Sequence, residues 1–477
     1  MVAVHMIVPG VPEVVVASIL KFTAPSPCSQ IMSTLTNAGT NARTSAGANE
    51  VPHVHQRLYA TFATGKTRTL IWRKEQLTAF GNMLKQGLPK LQAALWADLH
   101  KNGAEAMMAE LGNVLHDVKY ALKHVEEWMA PEEVKTGRVN HGAVSQIYHD
   151  PLGVALVIGA WNYPVHLTLS PVVGAISAGN CCCIKMPSVK YSSATSRAMA
   201  DLIAEYLDPE AIMVVEGDRT ATQAILLPRW DLIFFTGGAF VGTMVAEAAA
   251  KHLTPTILEL GGKSPTLVAP DATPEGVAVA ARRIVWGSFS NSGQTCIRPD
   301  YGFVHASVAD LFVQEMQNAV HEFYGEDPQQ TAAFGRVINH RAHDRLSALL
   351  RKDKKYVAFG GETDRADKYV APTLLDFGTD FDAFVGSEAM SDEIFGPVFP
   401  IFRYEETDEL INFVNAGEKP LAMYLFSDDE DTVEVSAAQI TVVARSMNTD
   451  RFSCSSFFFL FFLAGLGQHE LRGCLCQ

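Results

Sequence analysis

Leu77, Phe80, Leu84, Leu88, Leu91, Leu95 and Leu99 recur every three or four residues. That spacing puts apolar side chains on one face of a long helix. Asn102-Gly103 interrupts the stripe. Met108, Leu111, Leu115, Val118, Leu122 and Val125 resume it as a second helix, which ends at Trp128 before Pro131. From 134 to 149 apolar and polar residues alternate loosely around Gly137 and Gly142, which predicts a hairpin or arm. The rhythm then changes. Short apolar runs at 154–158, 181–184, 212–215, 232–235 and 256–258 read as buried strands, separated by helical stretches at 171–178, 193–206, 222–226 and 240–251. Strand–helix alternation of this kind predicts a parallel sheet covered by helices on both faces. Ligands of such sheets bind beyond the carboxyl ends of the strands. A second α/β block follows, with strands at 266–268, 303–305, 356–359 and 398–402 and helices at 277–285, 308–323 and 341–352. No internal repeat is visible.

Length and composition narrow the class. A chain of 477 residues is too long for one core, so two or three domains are expected. Its 48% hydrophobic and 19% charged content is that of a soluble globular enzyme. A net charge of −14 without a dense Lys/Arg cluster argues against a nucleic-acid partner. Eight cysteines, three of them consecutive at Cys181 to Cys183, form no ligand-spaced pairs. They point to a reducing compartment, read as the cytoplasm, and to no bound metal. The two ends stand apart. Residues 1–20 are apolar but broken by Pro9, Gly10, Pro12 and Glu13, which suits neither a signal peptide nor a membrane helix. Residues 26–49 are rich in Ser, Thr, Ala, Asn and Gly, so 1–54 is expected to be a disordered extension. The apolar run 457–463 continues only to about Leu466, short of the ~20 residues that span a bilayer. A buried strand, an incomplete anchor and a foreign tail all stay open for it, and membrane association with them.

Candidate chemistry sits where predicted strands end. Ser290-Asn291-Ser292-Gly293-Gln294-Thr295-Cys296 is a small polar loop that ends in a thiol, the setting a nucleophile needs, and equally that of a free cysteine in a turn. After strand 154–158 comes Gly159-Ala160-Trp161-Asn162-Tyr163-Pro164. The Asn162 amide is suited to an oxyanion or to stabilising its own turn. Lys185 ends the next strand, ahead of Pro187-Ser188, and can reach a ribose or phosphate or simply be solvated. Thr236-Gly237-Gly238, followed by Gly242, opens a helix after an apolar strand, a pocket of N–H groups for a pyrophosphate or a plain tight turn. Glu259 precedes Leu260-Gly261-Gly262-Lys263 and can serve as a general base or as a loop carboxylate. In Glu393-Ile394-Phe395-Gly396-Pro397, Glu393 can accept from a ribose and Phe395 can pack on a flat ring, or the loop merely leads into a strand.

The joint order of these motifs resembles the aldehyde dehydrogenase superfamily. The residues that carry it are Pro151 to Val154 with Trp161 to Pro164, then Ala178-Gly179-Asn180, Phe234 to Gly237, Leu258 to Pro265, Gly293 to Cys296, and Glu393 to Pro397. Thr67-Arg68 with Trp72-Arg73, Leu122 to His124 and Trp128-Met129 resemble its class 3, fatty-aldehyde branch. The resemblance runs from about His55 to about Ser436. It implies a Rossmann-type NAD or NADP domain (55–130 and 151–260), an oligomerisation arm (131–150) of a homodimer, a catalytic domain (261–436) and a divergent tail (437–477). It implies oxidation of medium- or long-chain or aromatic aldehydes to acids. Cys296 would be the nucleophile, Asn162 an oxyanion donor and Glu259 the base for hydrolysis. Trp161, Lys185, Ser188, Thr236, Gly237, Gly238, Gly242, Gly261, Glu393 and Phe395 would hold the cofactor. Three departures stand out. The family's Lys-Pro-Ser-Glu stands where this chain has Lys185-Met186-Pro187-Ser188-Val189-Lys190, so the acid that favours NAD is absent, NAD versus NADP stays open, and Lys190 could tolerate a 2′-phosphate. Gly238 stands where many members have Ser. The family's Pro-Phe-Gly-Gly stretch has no counterpart after Ser436, so a catalytically impaired nucleotide-binding homologue is the second expectation.

Overall fold

The computed structural model describes residues 2–7, 45–140, 142–427 and 444–447. Six parallel strands form the first sheet, in the order Ser45–Ala46, Ile212–Val215, Cys181–Lys185, Val154–Ile158, Leu232–Thr236, Thr256–Glu259. After the edge strand Ser45–Ala46 the chain returns to this sheet at Val154–Ile158, builds outward on one side, then crosses to Leu232–Thr236 on the other. The strand order therefore reverses between Val154–Ile158 and Leu232–Thr236, where open α/β sheets leave a ligand crevice. Val154–Ile158 and Cys181–Lys185 are buried along their whole length, because helices cover both faces.

The first leucine stripe is the 30-residue helix Leu70–Leu99. Its Leu77, Phe80, Leu84, Leu91 and Leu95 are buried, and it packs against Ser193–Tyr206. Gly87 marks the close approach, since a Cβ there would lie 2.5 Å from Leu202 Cδ1. The helix stops at His100, which adopts φ +52°. Asn102 then caps the next turn, its side chain accepting from the N–H groups of Ala104 and Glu105 at 2.9 Å. A π turn at Met107–Leu111 leads into the helix Gly112–Met129.

Among the described residues the second sheet has seven strands, in the order Val357–Phe359, Thr373–Asp376, Val398–Tyr404, Tyr301–His305, Pro265–Val268, Ala422–Phe426, Ala444–Met447. Only its first pair is antiparallel. A third, antiparallel sheet joins Glu132–Val134 and Val144–His149, the predicted arm, to Val2–Ile7. One core draws on residues from Val51 to Ala249, and the cores around the second sheet on residues from Leu267 to Phe426.

Several expectations are corrected. Residues 1–54 are not uniformly an extension outside the fold. Val2–Ile7 pairs along Val144–His149, and Ser45–Ala46 adds an edge to the first sheet. The helix Val51–Ala63 opens at Val51 because Val51, Val54 and Leu58 bury against the first core. The 437–477 stretch likewise contributes Ala444–Met447 to the second sheet. Residues 8–44 and the run 457–463 lie outside the described residues. The sequence pattern also left unmarked Thr373–Asp376, Thr407–Ala416 and Ala422–Phe426. Among the described residues no helix is long and apolar enough to cross a membrane.

Candidate active site

The thiol loop follows the helix Pro274–Phe289 and is wound tightly. Asn291, Ser292 and Gly293 take φ of +54°, +51° and +70° in succession. Two non-glycine residues in the left-handed region mark a turn that its surroundings hold in place. Gln294 supplies much of that hold. Its amide donates to Asn291 O (2.9 Å) and Arg336 O (3.1 Å), and its Oε1 accepts from Ile338 N–H (2.8 Å). Gly293 is required for a second reason: a Cβ there would fall 2.3 Å from Gly396 O. Gly293→Ala is therefore expected to destabilise the protein by about 3–5 kcal/mol. Chemical unfolding checks this, and an unchanged midpoint would sink it.

Cys296, half-buried and free, lines one cleft with Glu259, Thr236, His166 and Ile297, closed by Leu167, Pro171, Phe234, Leu260 and Leu421. Burial, Glu393 and Glu259 push its thiol up to about 12, while the N–H groups of Cys296 and Ile297 pull it back. Burial alone holds Glu259 up at about 7. A carboxyl tuned there can exchange a proton with water near neutral pH. Asn162 reaches the same loop: its Nδ2 donates to Gln294 O at 3.1 Å. The ring of Tyr163, next along, bonds Thr295 Oγ1 through its hydroxyl at 2.8 Å. On the other side of Thr295 and Ile297 lies a second cleft, lined by Met108, Tyr163, Trp286, Ser290, Arg298 and Glu105. The empty space in the two clefts, open solvent at their mouths included, is about 490 and about 450 Å³.

The remaining predicted residues line the carboxyl edge of the first sheet. The Trp161 ring stacks on Tyr191 at 5.6 Å and meets Phe395 edge-on at 5.4 Å. Phe395 itself holds φ +45°. Glu393 tucks against Gly261, where a Cβ would lie 2.6 Å from its carboxylate. Burial first, then Asp300, raise its pKa to about 8. Among the described residues Glu393 Oε1 and Thr236 Oγ1 are buried without a hydrogen-bond partner. Gly238 caps the helix Ala239–Ala250 with open space beside its α-carbon, above N–H groups that no turn of helix satisfies. Orphaned acceptors beside an open helix N-terminus fit the ribose and phosphates of a dinucleotide.

Three of the predicted residues behave otherwise. Gly237 donates its N–H to Glu259 O at 3.0 Å, so that group is committed to the sheet. Gly242 is a packing residue, since a Cβ would lie 2.7 Å from Leu260 Cδ2. Lys185 is 2% exposed and turns its Nζ onto Met186 O (2.6 Å) and Gly217 O (3.1 Å). Burial lowers its pKa to about 8 against the pull of Asp218 and Glu216. The Ser188 hydroxyl accepts from Lys190 N–H at 3.3 Å, and Lys190 Nζ lies 3.0 Å from Asp218.

Sequence reading missed the buried charges behind the site. Asp300 joins three motifs: it accepts from Arg298 Nη1 (2.9 Å), Lys263 Nζ (2.5 Å) and Ile394 N–H (3.1 Å). Lys101 and Glu110, both fully buried, pair at 2.7 Å beneath Asn162. Their one signal in the sequence is that Glu110 interrupts an apolar stripe next to Leu111.

The sequence matches the aldehyde dehydrogenase family over residues 30–459, reaching further at both ends than the 55–436 span of the motifs. It is 42% identical over 391 residues to the dimeric NADP-preferring aldehyde dehydrogenase of Canis lupus familiaris, covering 82% of this chain and 84% of that one. It is 42% identical over 379 residues to aldehyde dehydrogenase family 3 member A2 of Rattus norvegicus, covering 80% and 76%. Its fold superposes on the substrate-bound state of Staphylococcus aureus AldH with a TM-score of 0.80 at 37% identity, covering 83% of this chain and 85% of that one. On the extent of these matches the chain belongs to the aldehyde dehydrogenase family, in its class 3 branch, and is an NAD(P)-dependent oxidoreductase of aldehydes.

Proposed function

We propose that the chain oxidises medium- or long-chain aliphatic or aromatic aldehydes to carboxylic acids through a thioester on Cys296. The observation that carries this reading is the meeting of Cys296, Glu259 and Thr236 in one cleft whose other walls, His166 and Ser170 apart, are apolar. The sulfur adds to the aldehyde carbon as its proton leaves, and the carbonyl oxygen becomes an oxyanion. The Asn162 amide, released from Gln294 O, and the N–H of Cys296 stabilise that charge. When bound, the nicotinamide cofactor accepts the hydride that leaves the carbon. Glu259 then takes a proton from water, the water oxygen attacks the thioester, and the C–S bond breaks to free the acid and the thiol. Glu393 and Phe395 are the residues to hold the nicotinamide end, Thr236 and Gly238 the pyrophosphate, and Trp161 to pack beside them. Met108, Ala109, Tyr163, Trp286 and Ile297 in one cleft, and Leu167, Pro171, Phe234 and Leu260 in the other, support an apolar substrate. The test is aldehyde-dependent formation of reduced cofactor across a panel from short aliphatic to aromatic aldehydes. Equal kcat/KM for acetaldehyde and a medium-chain aldehyde would overturn the substrate class, and no turnover at all would overturn the reading.

The adenine end is read through Ser188, which stands three residues after Lys185, as the Glu of Lys-Pro-Ser-Glu does. A hydroxyl there neither repels a 2′-phosphate nor accepts from both ribose hydroxyls. Ser188→Glu is therefore expected to raise the NAD-to-NADP ratio of kcat/KM by about tenfold or more. An unchanged ratio would remove Ser188 from cofactor choice. A homodimer is supported by apolar exposure in two places. Phe240 and Val241 face outward on the helix Ala239–Ala250, and Val139 and Val144 do so on the arm. The free cysteines at 181, 182, 183 and 296 support a reducing compartment such as the cytoplasm.

A further inference from the structure

Behind the catalytic loop three charged side chains come from one short segment, 101–110. Lys101 leaves the end of the helix Leu70–Leu99 and is 1% exposed. Its Nζ lies 2.7 Å from Glu110 Oε1, 3.1 Å from the backbone carbonyl of Asn162 and 4.0 Å from the centre of the Tyr163 ring. Two of the ammonium's three N–H donors go to those oxygens, and its charge lies over the ring face. The other oxygen of Glu110 accepts from Val165 N–H (2.8 Å) and His166 N–H (3.1 Å). Glu110 thereby caps the helix His166–Ser177 from a distance, where no neighbouring side chain does so. Glu105 holds the facing loop, accepting from Asn291 N–H at 2.9 Å. The Asn291 amide closes the circuit by donating to the same Asn162 carbonyl at 2.8 Å.

A buried ion pair is weak ground for stability, because removing two charges from water costs about as much as their attraction returns. Its position here suggests a different use. The carbonyl that Lys101 grips belongs to the residue whose side-chain amide reaches over the loop of Cys296. A shift of about 1 Å in that peptide would carry the amide out of range of a developing oxyanion.

We propose that the Lys101–Glu110 pair positions Asn162, clamping its peptide from behind so that the side-chain amide stays within reach of the oxyanion once it leaves Gln294 O. Lys101 and Glu110 are positioning residues that act through Asn162 and touch neither substrate nor cofactor. This rests on the roles proposed above for Cys296 and Asn162.

The test neutralises both members of the pair with Lys101→Met/Glu110→Gln and compares two reactions of the same thiol. Addition of Cys296 to an aldehyde builds an oxyanion; its alkylation by iodoacetamide builds none. Single-turnover formation of reduced cofactor is expected to fall about 30- to 100-fold, since a whole donor is worth about 10²–10³. Aldehyde KM and the alkylation rate should stay within about twofold. In an Asn162→Ala background the same neutralisation should cost less than about threefold, because the amide it aims is gone. Glu110→Asp keeps both charges with a shorter reach; if the double variant does not fold, this milder change carries the test, with a severalfold loss of the same selective kind. Equal losses in alkylation and turnover, or equal losses with and without the Asn162 amide, would overturn the proposal. If Asn162→Ala itself leaves acylation unchanged, the oxyanion assignment falls and the clamp with it. A costly Asn162→Ala beside a silent neutralisation overturns the clamp alone.

Discussion

Replacing Cys296 by Ala is expected to remove aldehyde-dependent cofactor reduction by on the order of 10⁴-fold or more, with cofactor binding kept. The size follows from the chemistry. Hydride leaves a carbonyl carbon only once that carbon has become tetrahedral, and in the proposed reaction the Cys296 sulfur is the group that makes it so. The donors left behind, the Asn162 amide and the backbone N–H groups, stabilise an oxyanion but form no bond to carbon. Cys181, Cys182 and Cys183 cannot substitute, being fully buried within a strand of the first sheet and absent from the lining of the cleft. Binding should survive because Glu393, Phe395 and Gly238 keep their places without the sulfur. Glu393 is in fact relieved of a neighbour that becomes negative when ionised. Stopped-flow formation of reduced cofactor measures the loss, and thermal shift with NADP measures the binding. Residual turnover within about tenfold of the parent would displace Cys296 from the nucleophile's role.

The prediction draws on a site that was largely legible in sequence, for a physical reason. A strand of a parallel sheet buried on both faces must be apolar, so Val154–Ile158 announces itself, the partly buried Leu232–Thr236 does so by its apolar run, and the residues at and just beyond their ends face the crevice. Glu259, Asn162 and Thr236 were found that way. Glycine told less. Gly238, Gly237 and Gly242 share one motif, yet the first opens a helix terminus, the second satisfies a strand and the third admits Leu260. The residue type permits all three uses, and only the neighbours brought by the fold choose among them. Lys185 shows the same limit, because the sequence places it at a strand end but not the direction of its ammonium. Asp300, Lys101 and Glu110 were silent because their partners lie across the chain: Asp300 meets Ile394, and Lys101 meets Asn162. Short strands were silent for the opposite reason. Thr373–Asp376 has too few residues to show a period, although its first three are buried.

Glu259→Gln is expected to stall the reaction after one turnover, leaving a burst of about one equivalent of reduced cofactor and a steady state about 10²–10⁴-fold slower. Acylation does not need this carboxylate as a base for water, so the burst persists; hydrolysis of the thioester does. In the parent, the deacylation rate should climb with pH through about 7, where burial has placed the Glu259 carboxyl. The variant should lose that limb and keep a flat profile across it. Stability should move the other way. A folded pKa raised from 4.5 to about 7 means that the native state holds a proton the unfolded chain has already released in that window. Stability contributed by Glu259 is therefore present at low pH and lost as pH rises toward and through about 7. Gln carries no such penalty, so the variant should melt higher than the parent at pH 8 and no higher at pH 4. Its Cys296 should also alkylate faster at a given pH, because the Glu259 charge that holds the thiol up is gone. Slower turnover with a raised melting temperature and a faster-alkylating thiol cannot come from misfolding. A variant that loses the burst together with the steady state would instead place Glu259 in the acylation step.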